Sequence, residues 1–372
     1  MTVEVRLQHR FGDFMLDAEF AAGMGVSALF GPSGSGKSTV VNAVSGLLKP
    51  DAGRIVVGDE VLFDSAAGIA LPTWRRRIGY VFQDARLLPH LSVRQNLLFG
   101  RWLRRRDVAA AGTGAIALEH VVDVLNLGHL LGRRPGALSG GEKQRVGIGR
   151  ALLSCPRMLL MDEPLASLDH ARRLEVLDYL NRIRHELKLP VLYVTHSLDE
   201  VMRLADQVVL FKEGRTISQG APADVLNVHR DALDGAAESP GTVLETRIVA
   251  HDAQYGLTEL AVNGSDTIRL RVPRAGGEAG DVCRILVRER DVAVATSPPV
   301  DTSVLNVLRA RVATLRDLGD SVEVGATLLG DDAGTLTSTA LRARITRFSA
   351  DQLQLAPGRD VYLLIKSVAL TR

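Results

Sequence analysis

The stretch Gly31-Pro32-Ser33-Gly34-Ser35-Gly36-Lys37-Ser38-Thr39 carries the most explicit chemistry in the chain. It fits the pattern G-x-x-x-x-G-K-[ST], in which glycines let successive backbone N–H groups close around a polyphosphate. A helix that starts at such a loop adds its unsatisfied amides and its dipole, both of which favour an anion. Lys37 is then placed to reach the β and γ phosphates, and Ser38 to hold Mg²⁺. Two acids, Asp162 and Glu163, close the apolar run Met158–Met161. Carboxylates at the end of a buried strand are costly unless something uses them. Gln83 ends another short apolar run, where it either reaches a metal or an attacking water or caps the strand. Phe11 is either a stacking platform for a base or an ordinary strand-end aromatic.

These residues need elements that place them together. Val26 to Phe30 reads as a strand, and Val40, Val41, Val44 and Leu47 recur at helical spacing, so the loop lies between a strand and a helix. Val3, Val5 and Leu7, then Phe14, Leu16, Ala18 and Phe20, alternate as two antiparallel strands around Gly12-Asp13. Further strands are expected at Arg54–Val57, Ile78–Phe82, Met158–Met161 and Val191–Thr195, the last closing on His196. From Asp84 to Leu138 the pattern is helical, broken at Pro89 and Gly100. Ser139 is a plausible N-cap for a helix through Leu153, and Gly140 and Gly141 leave a second helix N-terminus bare to an anion. In a parallel sheet the carboxyl ends of the strands line the ligand crevice, so Gly31, Gln83, Glu163 and His196 should converge.

Composition narrows the alternatives. A chain of 372 residues with 46% hydrophobic content can build two or three cored domains. A net charge of +2 does not argue for nucleic acid, and the clusters Arg75–Arg77 and Arg104–Arg106 read as solvated faces. Cys155 and Cys283 stand far apart, which points to reduced thiols rather than a disulfide framework. No secretory leader and no membrane-length apolar run is expected, so any membrane span must come from another chain.

Leu138-Ser139-Gly140-Gly141-Glu142 followed by Lys143-Gln144-Arg145 resembles the signature of the ATP-binding-cassette family. Met158-Leu159-Leu160-Met161-Asp162-Glu163 resembles its Walker B strand, and Pro164 with Ala166-Ser167-Leu168-Asp169 its D-loop. The resemblance implies an α/β P-loop ABC ATPase cassette with a helical subdomain over 84–138. ATP and Mg²⁺ are the implied ligands, with Phe11 and Gly31–Thr39 on the nucleotide. Ser38, Gln83 and Asp162 are implied at the metal, Glu163 as general base, and His196 on the γ-phosphate. It further implies a head-to-tail homodimer in which Ser139, Gly140, Gly141 and Glu142 complete the partner's site, with Asp169 in the D-loop. Gly147 and Gly149 depart from the alanines common at these helix positions, each at about 1 kcal/mol of helix propensity.

Residues 231–242 are rich in Ala, Gly, Glu and Pro and read as a linker after a nucleotide-binding domain over 1–230. From 243 to 372 short strands alternate with glycine turns, an all-β, OB-like region. Gly280-Asp281-Val282 leading to Ile285–Arg288 corresponds loosely to Gly358–Val361 leading to Leu363–Lys366, which suggests two barrel-like modules. Thr302–Leu308 and Val361–Ser367 resemble the molybdate-binding Mop, or TOBE-type, module over 302–370. That resemblance marks Ser303, Asn306, Lys366 and Ser367 as oxyanion candidates; otherwise they cap a turn or face solvent. Cassette and tail together resemble the ATP-binding subunits of bacterial molybdate ABC importers. Such subunits imply integral membrane permease partners, a periplasmic molybdate-binding protein upstream, and a peripheral place on the cytoplasmic face of the inner membrane. An importer of sulfate, a sugar or ferric iron is the alternative. A DNA-repair ATPase would call for long coiled coils or a basic groove, and the sequence has neither.

Overall fold

A computed structural model describes residues 2–103, 116–166, 168–186, 189–229, 241–262, 267–330, 336–366 and 368–370. The described residues form two compact units, one reaching to Val225 and one beginning at Leu226.

The first unit is built on an eleven-stranded mixed sheet. Its half that matters for chemistry is parallel, in the order Gln207–Lys212, Gly25–Phe30, Pro190–Thr195, Met158–Asp162, Ile78–Val81. Strands buried on both faces need continuous apolar runs, and Met158–Met161 and Val191–Val194 supply them. Successive side chains alternate faces. Leu160, Leu192 and Val194 pack with Val40, Val41 and Val44 of the helix Lys37–Ser45. Leu159, Met161, Val191 and Tyr193 pack against the opposite, helical side with Val146, Leu97 and Leu125. The register aligns the strand ends: Phe30 lies opposite Thr195, Asp162 opposite Val194, and Val81 opposite Met161.

The expected first hairpin is present as Val3–Phe11 and Phe14–Ala22, paired with Phe11 opposite Phe14. The strand expected at Ile78–Phe82 ends at Val81, the last residue paired with Met158–Asp162, and the Phe82 ring stacks on Tyr80. The expected helical stretch contains the helices Val93–Leu103 and Leu118–Val124 and the 3₁₀ turns Gly128–Leu130 and Pro135–Ala137. Residues 104–115, and most of the expected linker, lie outside the described residues.

The second unit holds two five-stranded antiparallel sheets with the same topology. In the first, Gly241–Asp252 pairs with Leu257–Val262 and with Val282–Arg288; in the second, Asn306–Asp317 pairs with Ser321–Leu329 and with Asp360–Ile365. The long strands carry equivalent bulges, between Ile248 and Ala250 and between Val312 and Thr314. Both bulges are closed the same way, by Gly280 N–H to Ile248 O and Gly358 N–H to Val312 O, each at 2.8 Å. The two halves are not separate modules, however. Val292–Ala295, which follows the first half in sequence, pairs with Asp360–Ile365 of the second. Ala369–Leu370, which follows the second half, returns to Val282–Arg288 of the first. One hydrophobic core, from Leu244 to Ile365, runs through both.

Candidate active site

Gly36, with φ +97°, turns the chain into the helix Lys37–Ser45 and leaves its N-terminus without a side-chain cap. A Cβ at Gly36 would lie 2.8 Å from Leu16, and one at Gly31 would collide with the Phe211 carbonyl. The loop is thus held in its shape by strands on both sides, with bare amides at its mouth. Lys37 is 4% exposed. Its ammonium donates to Gly31 O at 2.9 Å, Pro32 O at 2.7 Å and Ser35 Oγ at 3.1 Å, so all three of its donors are engaged by the loop itself. Burial lowers its pKa, while Glu163 and Asp162 push it back up.

Beside the loop, Ser38 Oγ donates to Asp162 Oδ1 at 2.9 Å. Burial raises the Asp162 carboxyl above its ordinary value, and Glu163 adds to the shift, while the bond from Ser38 opposes it. Glu163 follows directly with φ +43°, a conformation that non-glycine residues adopt at a cost of order 1–3 kcal/mol and that here turns the chain off the strand. Its N–H is bonded to Val194 O at 3.1 Å, and its carboxylate lies 3.3 Å from His196 Nδ1. The acids and the histidine therefore meet at the carboxyl ends of neighbouring strands, next to the phosphate loop.

A cleft of about 460 Å³ adjoins this cluster, lined among others by Phe11, Thr39, Asn42, Tyr80, Gln83 and Asp162. Phe11 is 46% exposed and stands on His9, edge to face at 4.3 Å. Gln83 is exposed just past its strand. Pro32, Ser33, Gly34 and Ser35 line a second opening of the loop, toward Phe14 and Arg215.

Ser139 caps the helix Gly140–Leu153 through its side chain, which accepts from Glu142 N. Glu142 reciprocates, its Oε2 taking the Ser139 N–H at 2.6 Å, and that bond holds its carboxyl below the usual range. Among the described residues, these hydrogen bonds stay within the helix, and none goes to Gly31–Thr39. Asp169 accepts from Arg172 N at 3.0 Å at the start of the helix His170–Glu186. In the second unit Asn306 is 7% exposed, with Oδ1 and Nδ2 bonded to Arg271 N and O at 2.6 and 2.8 Å. Its amide is thus engaged with a neighbouring strand. Asn306 lies opposite Ile365, so exposed Ser303 and Lys366 share one end of the second sheet. Ser367 lies outside the described residues.

The sequence reading passed over Tyr80 and Asn42, which line the cleft, and Glu200, buried behind His196. No spacing rule marks them, since an aromatic in a strand and an acid in a helix are the commonest of residues.

The chain matches the ABC transporter family over residues 18–166 and the TOBE domain family over 302–371. A molybdenum import ATP-binding protein of Mesorhizobium japonicum is 46% identical over 374 residues, covering 100% of this chain and 96% of the relative. Proteins of the same description from Rhizobium etli and Brucella melitensis are each 44% identical, again over 100% of this chain and 99% and 98% of theirs. Among solved structures, the ADP conformation of an ATP-binding cassette of an ABC transporter superposes with a TM-score of 0.50 at 25% identity. That match covers 63% of this chain and 97% of the other.

Proposed function

The chain belongs to the family of molybdenum import ATP-binding proteins, and from that premise we propose how it hydrolyses ATP to drive molybdate import through a separate membrane permease. One observation carries the mechanism: Lys37, Ser38, Asp162, Glu163 and His196 lie side by side at the carboxyl ends of parallel strands. The triphosphate enters at the bare N-terminus of the helix Lys37–Ser45, and Lys37 exchanges the loop's own carbonyls for phosphate oxygens. Phe11 stacks on the adenine. Glu163 accepts the proton of the attacking water, and His196, 3.3 Å away, holds that carboxylate in place and faces the γ-phosphate.

The residues present fit Mg²⁺. Ser38 and Asp162 offer hard oxygens, and the desolvated carboxylate of Asp162 is one that a divalent cation would stabilise. Ser38 would hold the ion directly, Asp162 through water, with Gln83 at the edge. Bound there, Mg²⁺ would supply neutralisation of charge on the phosphate oxygens.

Among the described residues the hydrogen bonds of Ser139 and Glu142 do not reach the phosphate loop of their own chain, which supports a composite site in which Ser139, Gly140, Gly141 and Glu142 of one protomer meet ATP bound to another, with Asp169 at the seam. A head-to-tail homodimer is therefore part of the proposal. Among the described residues no helix is long and apolar enough to cross a membrane. On this reading the chain sits on the cytoplasmic face beneath its permease, which a periplasmic binding protein loads. Ser303 and Lys366 at one end of the second sheet support an oxyanion contact in the tail, with Asn306 fixing the strand beneath them.

Uptake into vesicles reconstituted with permease and binding protein tests the reading. ATP-dependent entry of molybdate is expected, and entry of sulfate in its place would overturn the substrate. Glu163→Gln should still bind ATP while hydrolysis falls about 10²–10⁴-fold, the usual contribution of a general base. Undiminished turnover would remove Glu163 from that role.

A further inference from the structure

Tyr80 lies on the strand Ile78–Val81, half-buried, with its hydroxyl in donating range of two acceptors, Asn42 Oδ1 at 3.1 Å and Asp162 Oδ2 at 3.4 Å. A phenol has one proton to donate. Asn42 Oδ1 is the nearer acceptor and the Asp162 carboxylate the charged one, so the two share that proton. Ser38 donates to Asp162 Oδ1, so each carboxylate oxygen faces one hydroxyl. At 3.4 Å the Tyr80 contact is loose, as hydrogen bonds around reacting groups often are before ligand binds.

The ring of Tyr80 stacks on Phe82, with centroids 4.0 Å apart and planes 23° apart, and the Arg86 guanidinium lies over Phe82 at 4.2 Å. The backbone of this segment is gripped from the signature helix. Gln144 Nε2 donates to Phe82 O at 3.2 Å, and Arg150 donates to Ala85 O and Arg86 O at 2.9 Å each. A continuous set of contacts thus runs from the helix Gly140–Leu153, through the segment that carries Gln83, to the carboxylate of Asp162.

We infer that Tyr80 is a positioning residue for Asp162, and that the Tyr80–Phe82–Arg86 stack ties the orientation of that carboxylate to the segment around Gln83. The inference rests on Asp162 serving the metal. Tyr80→Phe removes the hydroxyl and keeps the stack. A fluorescent ATP analogue, titrated in EDTA and then against Mg²⁺, separates nucleotide binding from metal binding without turnover. Tyr80→Phe should bind the analogue in EDTA within about twofold of the parent, while the Mg²⁺ midpoint rises roughly five- to tenfold, the loss of one hydrogen bond of ordinary strength. Phe82→Leu keeps the hydroxyl and loosens the stack, and a smaller rise in the same direction is expected. An unchanged midpoint in Tyr80→Phe overturns the inference, as does an equal loss of affinity in EDTA, the mark of a merely structural role. Asp162→Asn is the control. If it too leaves the midpoint unchanged, the metal reading of Asp162 falls and takes this inference with it. A raised midpoint there with a silent Tyr80→Phe removes this inference alone.

Discussion

Glu200 is 4% exposed, and its Oε2 accepts from Tyr193 OH at 2.8 Å and Thr195 Oγ1 at 2.7 Å. Thr195 immediately precedes His196, so this carboxyl lies under the strand end that presents the histidine. Burial is the chief cause that raises its pKa above the ordinary 4.5, against the two hydroxyl bonds and the positive charge of Arg173. For an acid raised on folding, the native state binds the proton more tightly than the unfolded chain. Its stabilising contribution is complete below 4.5 and is lost as pH rises through the folded value. Glu200→Gln keeps an acceptor for both hydroxyls and removes the charge. The melting temperature of Glu200→Gln relative to the parent should therefore climb from pH 5 to pH 8, and a difference that stays flat would refute the assignment. At this scale the sequence was legible where a residue type is rare in its place, as with Lys37 or the two acids closing an apolar strand. It was silent where a common residue makes its contacts with a distant partner, as with Tyr80, Asn42 and Glu200.

The helix Gly140–Leu153 answers a question that its composition raises. Gly149 has a packing reason: a Cβ there would lie 2.7 Å from Leu97, 3.2 Å from Leu125 and 3.2 Å from Val121. Gly147 has a milder one, since its Cβ would meet Ala85 at 3.4 Å or more, an ordinary contact. Gly147→Ala should therefore be neutral or stabilise by up to about 1 kcal/mol through helix propensity. Gly149→Ala should destabilise by about 1–3 kcal/mol through overpacking. Urea denaturation of both variants checks the contrast, and equal shifts would show that the close approach at Gly149 is not felt. The two helix N-termini that the sequence presents alike also differ. The one at Gly36 is open, whereas the one at Ser139 has its amide bonded to Glu142, so the proposed composite site requires that this capping box be displaced or bridged. Local pattern predicts a cap; whether its partner is a side chain or a ligand depends on what lies opposite.

The tail is where the whole molecule departs furthest from a reading made segment by segment. The repeat around Gly280 and Gly358 was visible because both positions close equivalent bulges with φ +101° and +89°. The exchange of Val292–Ala295 and Ala369–Leu370 between halves was not, because such short strands carry no local mark of which sheet will take them. If the end of the second sheet binds an oxyanion, calorimetric titration of the full chain should show heat with molybdate and tungstate and none with sulfate. Lys366→Ala should weaken that binding at least about tenfold, in keeping with loss of a charge-assisted contact, and leave ATP affinity unchanged; heat unaltered by the substitution would exclude this end of the sheet. The phosphate loop, the acid pair and the order of strands and helices around them follow from sequence, since they depend on contiguous residues whose spacing sets a turn, a face or a strand end. The convergence of Glu163 and His196 follows as well, from the rule that parallel strand ends line one crevice, whereas the grip on Asp162, the engaged amide of Asn306 and the exchanged strands required the folded chain. Each of the latter joins residues far apart in sequence, and such contacts are selected by packing and register rather than by anything a local stretch contains.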